Sequence, residues 1–519
     1  MTFSSLILTL IILTPLLGVL MLFFVDSSNF RKNRNISQFF SFLSLLEIIW
    51  IACHFDSAGD YLQFVCKKDW VYILGIQYYL GVSGINVVLL ILTALLVSFS
   101  IAVTSRNIGR PRLFFQLVLL TQVGLLGTFT AQNFFHWFLF WETVLIPAFF
   151  LVKLWGGVNK DSAAMQFFVY TMFGSVFMFL GFQALYLANG TFNFNELSAL
   201  AKSGELAQNI ASVYAFTGLN QNTLCGIIFF LVLLGFAVKI PLMPFHTWLP
   251  VTYTEAPSSV SILLTGLMSK MGMYGFLVIM TPIFPVQMNK WYFLLAFLIV
   301  LTVIASAWSA LNQKDIKRML AYSSINHLGY CMLGTLAVAK VLGITFDPFE
   351  DKAFAMDGVV LQMFNHGITA GTLFGFVALI ELRSNGDRII SNFRGLRGSA
   401  PVFSVLFCIA TFSSLGLPGL NGFISEFLIF KGAFAMAPVM VLLCGIALVL
   451  TALFLLNMIQ TMLTGEPNTL SNNFGDLSRN ELFCFIPFIL LMFIIGVYPG
   501  IIINNFITPS VNLILKLYL

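Results

Sequence analysis

The chain contains a series of apolar runs that are each long enough to cross a lipid bilayer. The first, MTFSSLILTLIILTPLLGVLMLFFV, carries no charged residue, and roughly 20 apolar residues form a helix that spans the hydrocarbon core. It lacks a basic start and is longer than the apolar core of a signal peptide, so we expect it to be retained as the first spanning helix. Because lipid offers backbone groups no hydrogen-bond partner, the repeated runs predict an all-α polytopic membrane protein.

The composition excludes a water-soluble fold. Hydrophobic residues make up 59% of the 519 residues and charged residues only 9%, whereas soluble domains carry about 25% charge. The formal net charge of +5 is small for this length and is typical of basic membrane loops, so we expect no nucleic acid partner. Seven scattered cysteines without a CxxC pair indicate neither a disulfide framework nor a metal or iron–sulfur site, and we expect no cofactor in this chain.

The apolar runs divide the chain into about fourteen spans in four regions. We assign spans one to three to residues 1–112, spans four to eight to 113–281, spans nine to thirteen to 282–465 and span fourteen to 466–519. The predicted limits of the spans are Phe3–Val25, Ile36–His54, Gly84–Val103, Leu113–Thr130, Phe134–Leu154, Ala163–Leu187, Leu224–Ile240, Ser258–Met280, Trp291–Leu311, Met319–Val341, Phe354–Leu382, Val402–Phe430, Ala435–Met462 and Leu482–Ile503.

Positive charge is distributed unevenly between the two sides that this count predicts. Alternate loops and span ends hold sixteen of the 26 lysines and arginines, among them Arg31, Arg106, Lys317 and Arg388, and the other side holds eight. Cytoplasmic loops carry the excess of Lys and Arg. The alternation predicts that both termini lie on the non-cytoplasmic side, in a bacterial inner membrane or its thylakoid or organellar equivalent.

Two spans are interrupted by helix-breaking residues. Span seven contains Pro241, Pro244 and Pro250, and span twelve contains SSLGLPGLNG. Irregular backbone within a membrane is tolerated only where protein or a wet cavity surrounds it. The breaks are five spans apart, which predicts that spans four to eight and nine to thirteen are two inverted copies of one five-helix unit, as in ion-coupled carriers.

Lys239 and Lys270 are the two basic residues that lie deep within apolar runs. A charge in mid-membrane costs roughly 2.5 to 3.5 kcal/mol on insertion scales, so such groups usually face a protein interior and serve ions or protons. The alternative is that a lysine extends its apolar stem and reaches the interface. That alternative is harder for Lys270, because ten apolar or small residues follow it.

Two acidic residues also lie in apolar surroundings. Glu142, in FFHWFLFWETVLIPAFFLV, is a natural partner for Lys239, because opposite charges favour each other's ionised form. Glu426 follows the break of span twelve and, by the predicted repeat symmetry, occupies the place that Lys239 holds in the first copy. The alternative for each is a carboxylate near a helix end, with Lys431 as a local partner of Glu426.

Three histidines, His246, His327 and His366, add groups that titrate near neutral pH. A single intramembrane histidine is often only a hydrogen-bonded packing residue. Their positions within or beside the repeat units favour a proton relay, in which His246 is a further candidate. Asp357 and Glu381 lie near the ends of span eleven, and we interpret them as ordinary charges.

Five segments carry a resemblance to a known family. They are WETVLIPAFFLVKLWGG, GFAVKIPLMPFHTWLPVTYTEAPSSVSILLTGLMSKMGMYG, DIKRMLAYSSINHLGY, NHGITAGTLF and GLPGLNGFISEFLIFKGAF. Together they resemble the antiporter-like membrane subunits of respiratory complex I (NADH:quinone oxidoreductase), of the NuoM type or its NdhD counterpart in photosynthetic complexes. Glu426, where other subunit types have a lysine, and the short tail after span fourteen favour this type over the L-type and Mrp relatives.

The resemblance implies roles for matching positions: Glu142 and Lys239 as a coupling pair, Lys270 as the central relay lysine, His327 and His366 as relay groups, and Glu426 as the terminal carboxylate of a lateral hydrophilic axis. It also implies that quinone reduction elsewhere in the complex, fed by NADH or ferredoxin, drives protons across the membrane. NADH, FMN, iron–sulfur clusters and quinone would then belong to partner subunits. The expected partners are neighbouring antiporter-like and small helical membrane-arm subunits, and lipids.

Two other functions remain open at this point. A Mrp-type cation/proton antiporter subunit would draw its energy from an ion gradient instead of a redox reaction. A non-conducting scaffold would leave several buried ionisable groups as an unexplained energetic cost.

Overall fold

The structure is a computed structural model that describes residues 3–71, 75–340 and 348–518. Most of these residues are helical, and eleven of the described helices are long and apolar enough to cross a membrane. The predicted fold class, a polytopic helical membrane protein, is confirmed. The number of fourteen crossings, the inverted repeats and the four regional boundaries stay predictions.

Each of the fourteen predicted spans coincides with one helix or with consecutive helices, and span three, predicted for Gly84–Val103, matches its helix at both ends. The helices up to the seventh predicted span are α1 (Phe3–Leu22), α2 (Phe30–Cys53), α3 (Gly84–Val103), α4 (Pro111–Thr130), α5 (Phe134–Trp155), α6 (Lys160–Asn189), α7 (Phe194–Ser203), α8 (Glu205–Val213), α9 (Gln221–Lys239) and α10 (Trp248–Glu255). The others are α11 (Ser258–Leu263), α12 (Ser269–Tyr274), α13 (Thr281–Ile283), α14 (Pro285–Lys290), α15 (Tyr292–Leu311), α16 (Ile316–Ala339), α17 (Phe349–Arg383), α18 (Leu396–Ser399), α19 (Pro401–Leu415), α20 (Asn421–Met436), α21 (Pro438–Leu463), α22 (Thr469–Asn472), α23 (Arg479–Val497), α24 (Gly500–Ile502) and α25 (Thr508–Tyr518).

The chain is not wholly α-helical, which corrects one part of the prediction. Strands β1 (Gln63–Val71) and β2 (Ile76–Val82) form an antiparallel hairpin between α2 and α3, with Lys67 opposite Tyr79. The strands are rich in aromatic and β-branched residues, which fit a pleated surface. Because these runs are short and interrupted by charges, a search for spanning segments does not reveal them.

Several short helices were also missed, among them α7, α8 and α25, because each is too short or too polar to be read as a membrane span. The helices α7 and α8 lie between α6 and α9 and bury only one side of their surface. The last helix, α25, packs against α17, α3 and α7. There the Ser510 hydroxyl accepts a hydrogen bond from the Gly84 backbone N–H over 2.7 Å.

The loops with many arginines meet at one end of the bundle. The indole N–H of Trp155 donates to the carbonyl of Gly109, and Arg383 pairs with Glu481 over 2.8 Å. We call this end the arginine-rich end. The β-hairpin and α25 lie at the opposite end, where the Gln132 backbone N–H donates to the carbonyl of Tyr79.

Two spans form the centre of the bundle. They are Ser258–Ile283 and Phe349–Arg383, and in each of them 94% of the most apolar stretch is buried inside the protein. Small residues let these spans approach closely, because a Cβ at Gly367 would lie 3.1 Å from the carbonyl oxygen of Gly266. Lys270 and His366 belong to these spans, so both are far from lipid.

Candidate proton-transfer site

Lys270 lies where the helix of the eighth predicted span is irregular. The α-helical turn α12 that holds it is preceded by a π-helical segment, Leu264–Met268, and followed by another, Gly275–Met280. Such segments are rare and occur often at functional sites. The wider turns shift neighbouring carbonyls, and the Lys270 ammonium donates to the carbonyl oxygen of Thr265 over 2.6 Å.

Lys270 is in direct contact with His366. Its Nζ lies 2.6 Å from His366 Nδ1, and Lys270 is fully buried (0% exposed). Inside a protein such a bond is stronger than in water. The two residues come from different predicted repeats and are 96 positions apart, so the fold creates a proton-sharing pair that the sequence does not show.

His327 and Glu426 form a second buried contact beside the first. His327 Nδ1 lies 3.0 Å from Glu426 Oε1, and the rings of His327 and His366 are 5.3 Å apart between centroids. All these side chains except that of Lys270 line one small cavity with room for about one water molecule. Lys270, His366, His327 and Glu426 therefore form one row, with a single step long enough for a bridging water.

The amide and hydroxyl groups around this row hold it in place. Gln362 Nε2 lies 3.4 Å from His327 Nδ1, and Gln362 Oε1 accepts a bond of 2.5 Å from the Ser425 hydroxyl. Asn365 donates to the carbonyl of Asn421 over 2.6 Å. These groups fix α17 against α20 and supply polar contacts to a site that excludes lipid.

The break in the twelfth predicted span shapes the end of the row. The helix α19 ends at Leu415 and is followed by Gly416. The φ of Gly416, +80°, is one that residues with a side chain rarely adopt, and a Cβ there would lie 2.9 Å from Glu426 Oε2. The Ser413 hydroxyl donates to Asn421 Oδ1 over 2.5 Å. The break thus leaves room for a carboxylate that a continuous helix would exclude.

Lys239 and Glu142 do not form an ion pair within 4.0 Å among the described residues. Lys239 Nζ instead lies 4.9 Å from the centroid of the Trp141 ring, within the range of a cation–π interaction. Trp141 is held by a bond from its indole N–H to the Ser175 hydroxyl. Glu142 Oε1 is buried without a hydrogen-bond partner in the described part of the chain. The predicted ion pair between Lys239 and Glu142 is therefore not formed in this structure.

The irregular backbone after Lys239 is satisfied by protein groups. The indole N–H of Trp248 donates to the carbonyl of Val238, and the Met243 backbone N–H donates to the Thr302 hydroxyl, each over 2.9 Å. Thr302 belongs to α15, in the second predicted repeat. A hydrogen bond therefore joins the break in the first predicted repeat to a helix of the second.

A glycine brings the helices of the two lysines together. A Cβ at Gly272 would lie 2.9 Å from Ile240 Cγ1 and 3.1 Å from Lys239 Cβ. Only a glycine permits this approach without a shift of the neighbours. Lys239 therefore lies beside the helix that carries Lys270, although no direct bond between the two lysines is formed in the described chain.

The position of Glu426 relative to its break corrects one detail of the predicted symmetry. Lys239 is the last residue of the half-helix before its break, whereas Glu426 is the sixth residue of the half-helix after its break. The two residues are both close to a break, but they are not at equivalent positions. The predicted repeat relates the order of the spans, and not the positions of residues within them.

An ion-pair cluster with a buried lysine lies at the arginine-rich end and was not predicted from the sequence. Lys317, counted above as a loop charge, is only 1% exposed, donates to the carbonyl of Ala256 and lies 3.3 Å from Glu381. Arg388 bridges Glu381 and Asp315 at 3.6 and 3.1 Å. The motif around Lys317 was recognised, but its burial follows from packing that spacing alone does not reveal.

Hydroxyl groups lie at intervals between this cluster and Lys270. The Ser258 hydroxyl donates to Glu381 over 2.5 Å, and the Tyr253 hydroxyl donates to the carbonyl of Leu264 over 2.8 Å. The hydroxyls of Thr265 and Ser324 are 2.8 Å apart, and the Thr265 carbonyl receives the Lys270 bond. A discontinuous polar column thus runs from the arginine-rich end to the buried row.

His246 and Asp357 stand apart from the row. His246 lies in the break after Lys239, and its Nδ1 is buried without a partner among the described residues. Asp357, interpreted above as an ordinary charge near a span end, is only 5% exposed and accepts a hydrogen bond of 2.7 Å from the Thr508 hydroxyl. Neither residue is hydrogen-bonded to Lys270, His327, His366 or Glu426 in the part of the chain that the structure describes.

Fold and site together define a class: a polytopic membrane protein with a buried row of proton-binding side chains. Comparison with known proteins gives the family. The family described as NADH:quinone oxidoreductase/Mrp antiporter, TM, matches residues 131–452, and the chain belongs to it.

Relatives match over nearly the full length. NADH-quinone oxidoreductase subunit M of Rickettsia typhi is 32% identical over 519 residues, covering 98% of this chain and 99% of the relative. F(420)H(2) dehydrogenase subunit M of Methanosarcina mazei is also 32% identical, over 97% of both chains. The resemblance to the M-type subunits is therefore confirmed.

Two solved structures share the fold. A chain of respiratory complex I from Thermus thermophilus superposes with a TM-score of 0.82 at 26% identity, covering 99% of this chain and 100% of the other. A chain of the Mrp complex from Dietzia sp. gives the same TM-score at 18% identity, covering 99% and 98%. At that identity the second likeness concerns the fold alone.

Proposed function

We propose that the chain is the proton-translocating membrane subunit of a redox-driven NADH or ferredoxin:quinone oxidoreductase, of the M type. The observation that carries the proposal is the row from Lys270 through His366 and His327 to Glu426, in which consecutive groups contact each other or share a one-water cavity. The names of the full-length relatives support the redox-driven assignment.

The row moves a proton by short transfers between groups that bind and release it. Lys270 donates to His366 Nδ1, and the histidine releases a proton from its other ring nitrogen, since both nitrogens can carry one. A water between the two rings passes it to His327, which delivers it to Glu426. Before the next proton can move, Lys270 takes up a proton from the entry side, both histidines return to their starting tautomers, and Glu426 releases its proton. The chain needs no cofactor of its own; NADH, FMN, iron–sulfur clusters and quinone belong to partner subunits.

Lys239 and Glu142 act as the coupling switch in this proposal. In the structure the Lys239 ammonium lies over the Trp141 ring, and Glu142 Oε1 has no hydrogen-bond partner among the described residues. Closing the pair would move the ammonium away from the indole and change the electric field at Lys270, whose helix is packed against Lys239 at Gly272. A change in charge that arises at a partner subunit would thereby alter the proton affinity of the row.

Protons enter from the arginine-rich end, which we assign to the cytoplasmic side because of its basic loops. The column of hydroxyls from Ser258 to Thr265 supports this route. Both termini then lie on the non-cytoplasmic side of an energy-converting membrane. The neighbours would be other antiporter-like and small helical subunits of the membrane arm.

The alternative function is that of a Mrp-type antiporter subunit, because a chain of a Mrp complex has the same fold. The carboxylate at Glu426 and the higher identity to M-type subunits favour the redox-driven complex. Sodium-driven proton movement in the absence of quinone and electron donor would support the antiporter instead.

The proposal is tested by changing Lys270 to Arg in the assembled complex. Arginine keeps the charge but does not release its proton at physiological pH, so pumping should fall by roughly 100-fold, the lower end of what a positioned proton-transfer group contributes. Proton pumping and quinone reduction are measured separately in proteoliposomes, with the exposed Lys431→Arg variant as control. Wild-type pumping in Lys270→Arg would overturn the proposal.

A further inference from the structure

A groove at the arginine-rich end combines cationic and apolar walls. It lies between the start of α2, the end of α3, the end of α17 and the start of α23. Arg34 and Arg106 line it, and neither forms an ion pair among the described residues. We call it the arginine groove. A small anion from solution would contact only the arginines, whereas an anionic amphiphile would contact both the arginines and the apolar side chains.

The one acidic group in the described lining does not cancel the two arginines. Glu481 is paired with Arg383 over 2.8 Å, and it accepts further bonds from the backbone N–H and the hydroxyl of Ser478 over 2.7 and 2.8 Å. The exposed Arg31 adds positive charge one helical turn from Arg34. The groove therefore has an uncompensated positive charge that attracts a phosphate.

The rest of the lining fits the remainder of a phospholipid. Leu382 and Phe483 are exposed apolar residues at the edge of the groove, and Val103 and Phe485 continue the apolar wall. Gln38 also lines the groove, but its Oε1 is buried and out of reach of a ligand in the groove.

The geometry points to the arginine groove as a binding site for an anionic phospholipid, such as phosphatidylglycerol. The phosphate lies between Arg34 and Arg106, and the acyl chains follow the apolar wall toward the bilayer. Basic pockets between membrane helices on the cytoplasmic side bind such headgroups. The site is separate from the buried row and does not depend on the function proposed above.

Cys484 provides a reporter inside the groove. It lines the groove and is partly exposed, so a bound lipid slows its modification by a thiol reagent. The experiment uses the complete delipidated complex, to which phosphatidylglycerol, phosphatidylcholine or inorganic phosphate is added, and follows Cys484 by mass spectrometry. Cys53, exposed at the other end of α2, is the internal control.

We expect phosphatidylglycerol to protect Cys484, and phosphatidylcholine and phosphate to leave it reactive. The Arg34→Gln/Arg106→Gln double variant should require roughly 25-fold more phosphatidylglycerol, about fivefold for each arginine. The matched Arg318→Gln/Arg397→Gln variant removes two exposed arginines outside the groove and should behave as wild type.

Several results would overturn the assignment. Equal protection by phosphatidylcholine would remove the preference for an anionic lipid, and equal protection by inorganic phosphate would identify a free anion. Unchanged protection of Cys484 in the double variant would show that Arg34 and Arg106 do not bind the lipid. A Cys484 that is unreactive before any lipid is added, but reactive once neighbouring subunits are dissociated, would identify the groove as a subunit interface.

Discussion

The two predicted repeats differ in how their ionisable groups are connected. In the second, His327 and Glu426 are in contact, and Lys270 of the first repeat is bonded to His366. In the first, Lys239 rests on an aromatic ring and Glu142 has an unpaired oxygen. The second repeat thus holds most of a row of contacting groups, which starts at Lys270 of the first repeat, whereas Lys239 and Glu142 of the first repeat remain separated charges that are free to change partner. A transfer path needs permanent contacts, whereas a switch needs a contact that opens and closes.

The largest effect is expected from breaking the row at His366. His366→Leu removes both ring nitrogens between Lys270 and His327, and proton pumping should fall by roughly 100-fold. Pumping is measured in proteoliposomes with a pH-sensitive dye. His54→Leu, in which an exposed histidine is replaced, is the control, and equal pumping in the two variants would show that the row is not the path.

A smaller loss is expected at the end of the row. Glu426→Gln keeps the shape of the side chain but cannot accept the proton, and pumping should fall on the order of tenfold, because a bridging water can take over the terminal step. The same substitution at the exposed Glu466 should have no effect. If Glu426→Gln were more damaging than His366→Leu, the terminal carboxylate would be the principal site and the contrast between the repeats would need revision.

Double-mutant cycles compare the two repeats directly. For His327→Gln and Glu426→Gln, which are in contact, we expect an interaction free energy within about 0.5 to 3 kcal/mol in the unfolding of the resting complex. For Glu142→Gln and Lys239→Gln, we expect less than about 0.5 kcal/mol. A larger coupling in the second cycle would mean that the switch is closed at rest.

The smallest effect concerns a group that holds the second repeat from outside the spans. Asp476 accepts the backbone N–H groups of Val402 and Phe403 at the start of α19, each over 2.9 Å. Partial burial works against ionisation, but these bonds, together with the positive charge of Arg383, leave the pKa of Asp476 below its usual value. Asp476→Asn should lower the free energy of unfolding by about 1 kcal/mol, as for the loss of a helix cap.

The pH dependence of that effect has a defined sign. A carboxyl group whose pKa is lowered on folding stabilises the protein above its unfolded pKa, and the contribution is lost as the pH falls through the folded pKa. The difference in melting temperature between wild type and Asp476→Asn should therefore be present at pH 7 and shrink in acid. Pumping per complex should be unchanged, because the row lies at the other end of α19; a large loss of pumping would tie the row to this contact.

The sequence predicted much of the fold, because apolar length is a direct requirement of the bilayer. The limits of span three were predicted without error, and the two breaks were placed by their prolines and glycines. The β-hairpin was missed, because a search for spanning helices does not detect short amphipathic strands outside the membrane.

The site was predicted in part. Each of the seven candidate side chains was selected because it is ionisable in apolar surroundings, a signal that a single sequence contains. The contact between Lys270 and His366 depends on two π-helical segments and on close packing at Gly266, neither of which has a simple sequence pattern. Lys317 was overlooked for the opposite reason, since its position at a span end resembled that of an exposed charge.

The one-water cavity between His327 and His366 has a consequence for ion selectivity. A sodium ion moves through a protein only if oxygen ligands replace its hydration shell, and this cavity has room for a single water and is lined partly by imidazole rings. A proton needs no such shell, because it passes along hydrogen bonds. In the function proposed above, we therefore expect this narrow step to favour protons over a hydrated sodium ion.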